Sequence, residues 1–187
     1  FYEEMLQILK AELGSEHSDV AATLNYLGLL YTNMGDYEKA LSLYKRALEI
    51  AEKVLGPQHP NVANTLNNLA ELYYQMGDYE KALSLYKRAL DIREKVLGPQ
   101  HPDVANTLNN LALLYSQLKD YEKALPLCQR ALETREKLLG PQHPLTATSL
   151  NNLAVLYRQT RKYEEALQLS IQALRIVEKM LGSQHPE

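Results

Sequence analysis

The sequence predicts an all-α fold, a right-handed superhelical solenoid of antiparallel helix pairs. Three observations predict it. His17, His59, His101, His143 and His185 recur at a constant separation of 42 residues, and a fixed period between about 20 and 50 marks a stack of like supersecondary units. Within each period apolar residues return at three- and four-residue steps, the spacing of one helical face. An apolar content of 45% with only 8 glycines and 8 prolines is that of ordered helix, not of linker or disordered tail.

The elements follow in order. Residues 1–14 align with the end of a second helix, the remnant of a preceding unit, and a chain that starts without Met inside a repeat reads as a piece of something longer. Four helix pairs then span 18–55, 60–97, 102–139 and 144–181, all within one repeat domain, 1–187. In residues 60–97, Pro60 stands where a helix tolerates proline. Val62, Leu66, Leu69, Ala70 and Tyr73 form one buried stripe of a first helix, A. Gly77 can end that helix in the left-handed conformation, and Asp78 is placed to cap the next one. Tyr79, Ala82, Leu83, Tyr86, Ala89, Leu90, Val96 and Leu97 mark the second helix, B, which stops at Gly98-Pro99. Glu49–Lys53, Asp91–Lys95 and Glu133–Lys137 are spaced to pair along its exposed side. No such pair buries all its apolar surface alone, so each must stack on its neighbours.

Composition narrows the function. With 20 basic and 23 acidic residues the net charge is −3, without the basic excess that binding to nucleic acid requires. No apolar run is long enough to insert into a membrane, and nothing resembles a signal peptide. One cysteine, Cys128, and no Asn-x-Ser/Thr sequon suit a reducing cytoplasm.

In the second repeat Leu66, Leu69, Ala70, Tyr73, Gly77, Tyr79, Ala82, Tyr86 and Ala89 occupy the large, small and aromatic packing positions of the tetratricopeptide repeat. That repeat ordinarily has 34 residues. The lengthened form, with ALDIREKVLGPQHPDVANTLNNLALLY and ALPLCQRALETREKLLGPQHP, resembles the repeats of kinesin light chains, and nephrocystin-3 and bacterial repeats look similar. The resemblance covers essentially the whole chain and implies a non-enzymatic module that binds an extended segment of a protein partner in a concave groove, as cargo adaptors and scaffolds do.

It also implies which residues line that groove: in helix A, the side opposite the buried stripe. These are Asn25, Tyr26 and Leu29 in the first repeat, and Asn64, Asn67, Asn68, Glu71 and Tyr74 in the second. The third supplies Asn106, Asn109, Asn110 and Leu113, and the fourth Asn151, Asn152, Val155 and Arg158. Asn25, Asn67, Asn109 and Asn151 share one register, although asparagine costs on the order of half a kcal/mol against alanine inside a helix. Two reasons suit them. An amide ladder can pair with the main chain of a peptide, as kinesin-light-chain repeats are implied to do with this LNNLA string; or the amides tie neighbouring helices into register. Leu29, Leu113 and Val155 would receive apolar side chains. Arg158 is the one basic residue at its register, opposite Thr32, Tyr74 and Ser116 in the other repeats, a departure from repeats that take acidic peptides.

Chemistry is not expected. Each histidine belongs to a different repeat, so convergence on a metal is geometrically implausible, and their place is the loop and helix start. Cys128 aligns with Tyr44, Tyr86 and Ser170 and reads as packing. No phosphate loop or catalytic constellation is present, and neither cofactor nor metal is implied. Pro126, early in its helix, removes one backbone bond. The competing expectations are a structural spacer that self-associates through end helices, at Met5, Leu9 or Val177, and the sensor arm of a larger signalling protein. The match of residues 37–60 to 79–102 at 22 of 24 positions suits the spacer.

Overall fold

The structure, a computed structural model, describes residues 2–182, so His185 lies outside the described residues. Among the described residues there are nine helices: α1 (Tyr2–Leu13), α2 (Ser18–Asn33), α3 (Tyr37–Leu55), α4 (Pro60–Gln75), α5 (Tyr79–Leu97), α6 (Pro102–Gln117), α7 (Tyr121–Leu139), α8 (Pro144–Gln159) and α9 (Tyr163–Gly182). Two compact units divide the chain, Phe1–Val96 and Leu97–Glu187.

In the first unit α1 packs on α2, α2 on α3 and α3 on α4, and α2 also touches α4. The apolar stripes meet in a core of Leu6, Val20, Leu24, Leu27, Ile50, Val62, Leu66 and Ile92, with Leu9 packed against it. Burying each such side chain contributes about 1.5–3 kcal/mol. The second unit repeats the scheme: α6 on α7, α7 on α8, α8 on α9, and α6 against α8. Ala147, Leu150, Ala173 and Ile176 form one cluster there.

Helix starts are set by histidine and aspartate. The Nδ1 atoms of His17, His59, His101 and His143 accept the backbone N–H groups of Asp19, Asn61, Asp103 and Leu145 at 3.2, 3.1, 3.1 and 3.1 Å. An imidazole acceptor thereby satisfies one of the orphan donors at the N-terminus of each helix A. Asp36, Asp78 and Asp120 do the same for helix B through the N–H of Lys39, Lys81 and Lys123. The A-to-B turn needs positive φ, and Gly35 and Gly77 take it at 80°. In the third and fourth repeats Lys119 and Arg161 adopt the same region at 61° and 62°, which costs a side-chain-bearing residue about 1–2 kcal/mol.

Helix B covers helix A with recurrent contacts. The Nζ atoms of Lys39, Lys81, Lys123 and Lys162 lie 3.9, 5.1, 5.4 and 5.5 Å from the ring centroids of Tyr31, Tyr73, Tyr115 and Tyr157, within cation–π range. Gly28 lets the buried Tyr44 ring lie close: an added Cβ would sit 2.7 Å from Tyr44 Cε1. Of the three pairs expected along helix B, Lys95–Asp91 forms at 2.8 Å. Glu49 instead pairs with Arg46 at 2.7 Å, and Lys53 reaches back to Glu16 at 3.1 Å. Glu16 also bonds Arg46, so one carboxylate joins two cations of α3. Pro126 is accommodated inside α7 without ending it.

Candidate functional site

The outward side of helix A is built in each unit by the same rule. Once Leu24, Leu27, Leu66 and Leu69 enter the core of the first unit, the residues between them must face its other side. Tyr26 and Leu29 are accordingly 57% and 44% exposed, and Asn64 is exposed. Asn25, Asn67, Asn68, Glu71 and Tyr74 are half-buried. The half-buried amides are not idle: Asn68 Nδ2 donates to Asn25 Oδ1 at 3.3 Å, from α4 to α2. Asn64 Oδ1 accepts from Arg93 Nη2 at 2.7 Å.

Glu71 is committed as well. Its carboxylate accepts from Tyr86 Oη at 2.7 Å and from Gln75 Nε2 at 3.2 Å. Burial, then the facing Glu71 charge, raises the Tyr86 pKa far above that of an exposed tyrosine. Tyr74 rests on Tyr79 with ring centroids 5.7 Å apart, and burial followed by the neighbouring Tyr79 raises its pKa too. Both phenols therefore remain neutral donors.

In the second unit Leu113 and Val155 are 40% and 39% exposed, and Asn151 and Arg158 are exposed. Asn106, Asn110 and Asn152 are half-buried. Asn151, Val155 and Arg158 border a depression of about 430 Å³ with Tyr163, Leu167 and Ser170. Asn109 departs from the expectation of a groove position: it is 4% exposed. Its Nδ2 donates to Ser149 Oγ at 3.0 Å, and its Oδ1 accepts from Asn152 Nδ2 at 3.5 Å and from Cys128 Sγ at 3.7 Å. With donor and acceptor both taken by α7 and α8, this amide holds the stack and is closed to a peptide. Ser116 bonds Gln159 Oε1 at 2.6 Å in the same sense, from α6 to α8.

Two features escaped sequence reasoning. The histidine caps are one; their signal was a histidine immediately before the helix, usually followed by proline. The pairing within the amide bridges is the other, since the sequence offered amides tying neighbouring helices but not which asparagines meet. Asn25–Asn68 and Asn109–Asn152 are each 43 residues apart, one period plus one, so the double asparagine of one repeat meets the first asparagine of the repeat before it.

Among the described residues no cluster of three or more His, Cys, Asp or Glu could hold a metal ion, and no helix is long and apolar enough to cross a membrane. Burial pushes the Cys128 thiol up to about 12, the opposite of an activated nucleophile.

Comparison with known proteins agrees with this geometry. The tetratricopeptide repeat family model matches residues 1–50, 19–95, 63–127 and 103–179. BtubC (BKLC) from P. vanneervenii is 30% identical across 100% of this chain and 74% of its own, with a TM-score of 0.86. The nearly identical tetratricopeptide-like repeats of a candidate kinesin light chain from Podosopora anserina are 26% identical over 96% of this chain and 85% of theirs, at a TM-score of 0.76. MamA, at 16% identity, 97% and 87% coverage and a TM-score of 0.65, shares the fold. No curated protein sequence matches the chain significantly. The chain belongs to the tetratricopeptide repeat family in its kinesin-light-chain-like form, an all-α solenoid fold whose members are protein–protein interaction modules.

Proposed function

We propose that this chain holds an extended segment of a protein partner against the outward faces of its A helices, as an adaptor or scaffold of kinesin-light-chain type working in the cytoplasm. One observation carries the reading. Leu29, Leu113 and Val155 share a single register of helix A and remain 44, 40 and 39% exposed among amides. Apolar side chains flanked by amides offer a peptide burial for its side chains and hydrogen bonds for its main chain. Asn151 and Asn64 are exposed amides on these faces, although Asn64 Oδ1 is already bonded by Arg93; Asn109 is withdrawn from this role. Selection of peptides from a random displayed library tests the reading. The native chain should enrich a family of related peptides, and Leu29→Glu with Leu113→Glu should abolish enrichment without lowering the melting temperature. Enrichment that is unaffected by both changes would remove it.

A second reading has its own observation. Leu167 and Leu174, seven residues apart on α9, are 60 and 56% exposed, a face suited to another copy of the chain. Of the residues expected to mediate such contact, Leu9 is partly buried against the first unit's core, whereas Val177 is 39% exposed. Sedimentation over a wide concentration range separates the readings: self-association abolished by Leu174→Glu favours the spacer, and a monomer throughout discards it.

A further inference from the structure

Arg135 is an arginine placed where few are found. It is 5% exposed inside the second unit and is held by neutral acceptors. Its Nη1 donates to the Leu145 carbonyl at 2.8 Å and to Ser149 Oγ at 2.9 Å, and its Nη2 donates to Asn106 Oδ1 at 2.7 Å. Arg93 occupies the same register one repeat earlier, 6% exposed, with Nη2 on Asn64 Oδ1 at 2.7 Å. Another repeat back, both members of this arginine–asparagine pair are alanine: Ala51 stands for the arginine and Ala22 for the asparagine. Residues 37–60 and 79–102 differ at two positions only, Glu49/Asp91 and Ala51/Arg93. The exchange at 51 is therefore half of all the divergence in that stretch.

The structural consequence is a cavity of about 190 Å³ in the first unit, lined by Ala22, Ala51, Asn61 and Thr65 and rimmed by Asn25 and Tyr26. Moving Arg135, Asn106, Leu145 and Ser149 back by two periods gives Ala51, Ala22, Asn61 and Thr65, and all four line this cavity. It is the space that the guanidinium of the later repeats fills, and its walls keep part of the acceptor set. The Asn61 carbonyl is already used, by the helical N–H of Thr65 and by Thr65 Oγ1 at 3.1 Å, but the Thr65 hydroxyl oxygen retains an acceptor lone pair, and Asn25 Oδ1 at the rim, with one bond from Asn68 Nδ2, has another. A volume far above the ~10–15 Å³ that one water requires admits a side-chain head group.

We propose that this cavity is a guanidinium-binding slot that receives an arginine side chain from the partner. The source of the arginine rests on the peptide reading above, because Asn25 and Tyr26 at the rim belong to the face assigned to the bound segment. Chemistry selects arginine over lysine: a flat fork of N–H donors can address the Thr65 hydroxyl on α4 and the Asn25 amide oxygen on α2 together, whereas an ammonium is a compact point charge with a heavier hydration shell. Arg135 shows that this fold accommodates a guanidinium here without a carboxylate partner.

The test titrates the full chain, labelled for amide NMR, with N-acetylarginine methylamide and with its lysine counterpart. Saturable shifts from the arginine probe should concentrate at Ala22–Tyr26 and Asn61–Thr65, and the lysine probe should bind at least about tenfold more weakly. Ala22→Asn with Ala51→Arg, which rebuilds the pair of the later repeats, should raise the melting temperature and erase those shifts. Should that variant fail to fold, Ala51→Met fills the same space without charge and must erase them too. Shifts that persist in the filled variant, or equal response to lysine, overturn the slot. Loss of the probe response in the filled variant while library peptides bind it as before would keep the slot and assign it to free guanidinium compounds. Probe binding with no peptides enriched would keep the slot while removing the peptide reading.

Discussion

Asn152 Nδ2 lies 3.5 Å from Asn109 Oδ1, and Asn109 Nδ2 lies 3.0 Å from Ser149 Oγ, so α8 grips one buried amide of α6 at two points a turn apart. The equivalent bridge in the first unit, Asn68 to Asn25, closes at 3.3 Å. Two amides one period plus one residue apart can meet only when consecutive A helices lie side by side with no slippage. A one-residue slide would break the contact, so the bridge fixes register as well as adhesion.

Asn109→Ala should therefore damage the fold. It strips partners from Ser149 and Cys128 in a buried site, and an unmet buried polar group costs about 1–3 kcal/mol. Thermal unfolding of the full chain should show a clear drop for Asn109→Ala and little change for Asn151→Ala, whose side chain is exposed. Equal, small effects at both positions would mean that the amide bridge does not hold register.

The histidine caps make a second prediction. His59 Nδ1 accepts the Asn61 N–H at 3.1 Å, so His59→Ala should destabilise by about 0.5–2 kcal/mol and His59→Asn, which keeps an acceptor at an N-cap, by much less. Chemical denaturation midpoints at pH 8 would show it. An alanine variant as stable as the asparagine variant would reduce the histidine to loop filler.

Helix positions were legible in the sequence because they rest on local physics. Glycine at 35 and 77 and proline at 60, 102 and 144 mark where helices turn and start, and these effects need no partner. The outward face was less legible. A register defined by its distance from the buried stripe cannot tell Asn67, half-buried, from Asn109, buried. What separates them includes the residue opposite: Ser149 offers Asn109 a small hydroxyl from α8. The Glu49–Lys53 pair was displaced for a similar reason. Glu16 drew Lys53 away from Glu49 across 37 residues, a competition that i,i+4 spacing does not contain. The slot at Ala51 was equally hidden, since an alanine in a helix reads as ordinary until the arginines at its register are seen buried.

Backbone conformation gives a third prediction. Lys119 and Arg161 hold φ values of 61° and 62° where the earlier repeats use glycine. Lys119→Gly and Arg161→Gly should each stabilise the chain by about 0.5–1 kcal/mol, because relief of the left-handed penalty exceeds the added entropy of the unfolded glycine. Gly77→Lys should lose a similar amount. Melting temperatures of the three variants check the sign, and destabilisation by Lys119→Gly would show that its side chain contributes more than its backbone costs.

The last prediction concerns pH. Burial holds the Cys128 thiol neutral, with its pKa pushed up to about 12, whereas the unfolded chain should ionise near the free-cysteine value of ~8.5. The native state therefore binds more protons than the unfolded state between these values, and stability must fall as pH rises through that window. Tyr44 and Tyr86, whose phenols are raised mainly by burial, add to the fall above the ordinary tyrosine value of ~10. The cysteine contribution is isolated by comparison with Cys128→Ser: between pH 8 and 10 the native chain should lose stability more steeply than the variant. In the same range Cys128 should react with a thiol reagent only at the rate of unfolding. Rapid labelling of the folded chain at pH 8, or parallel stability profiles for the two proteins, would contradict a thiol held neutral by burial.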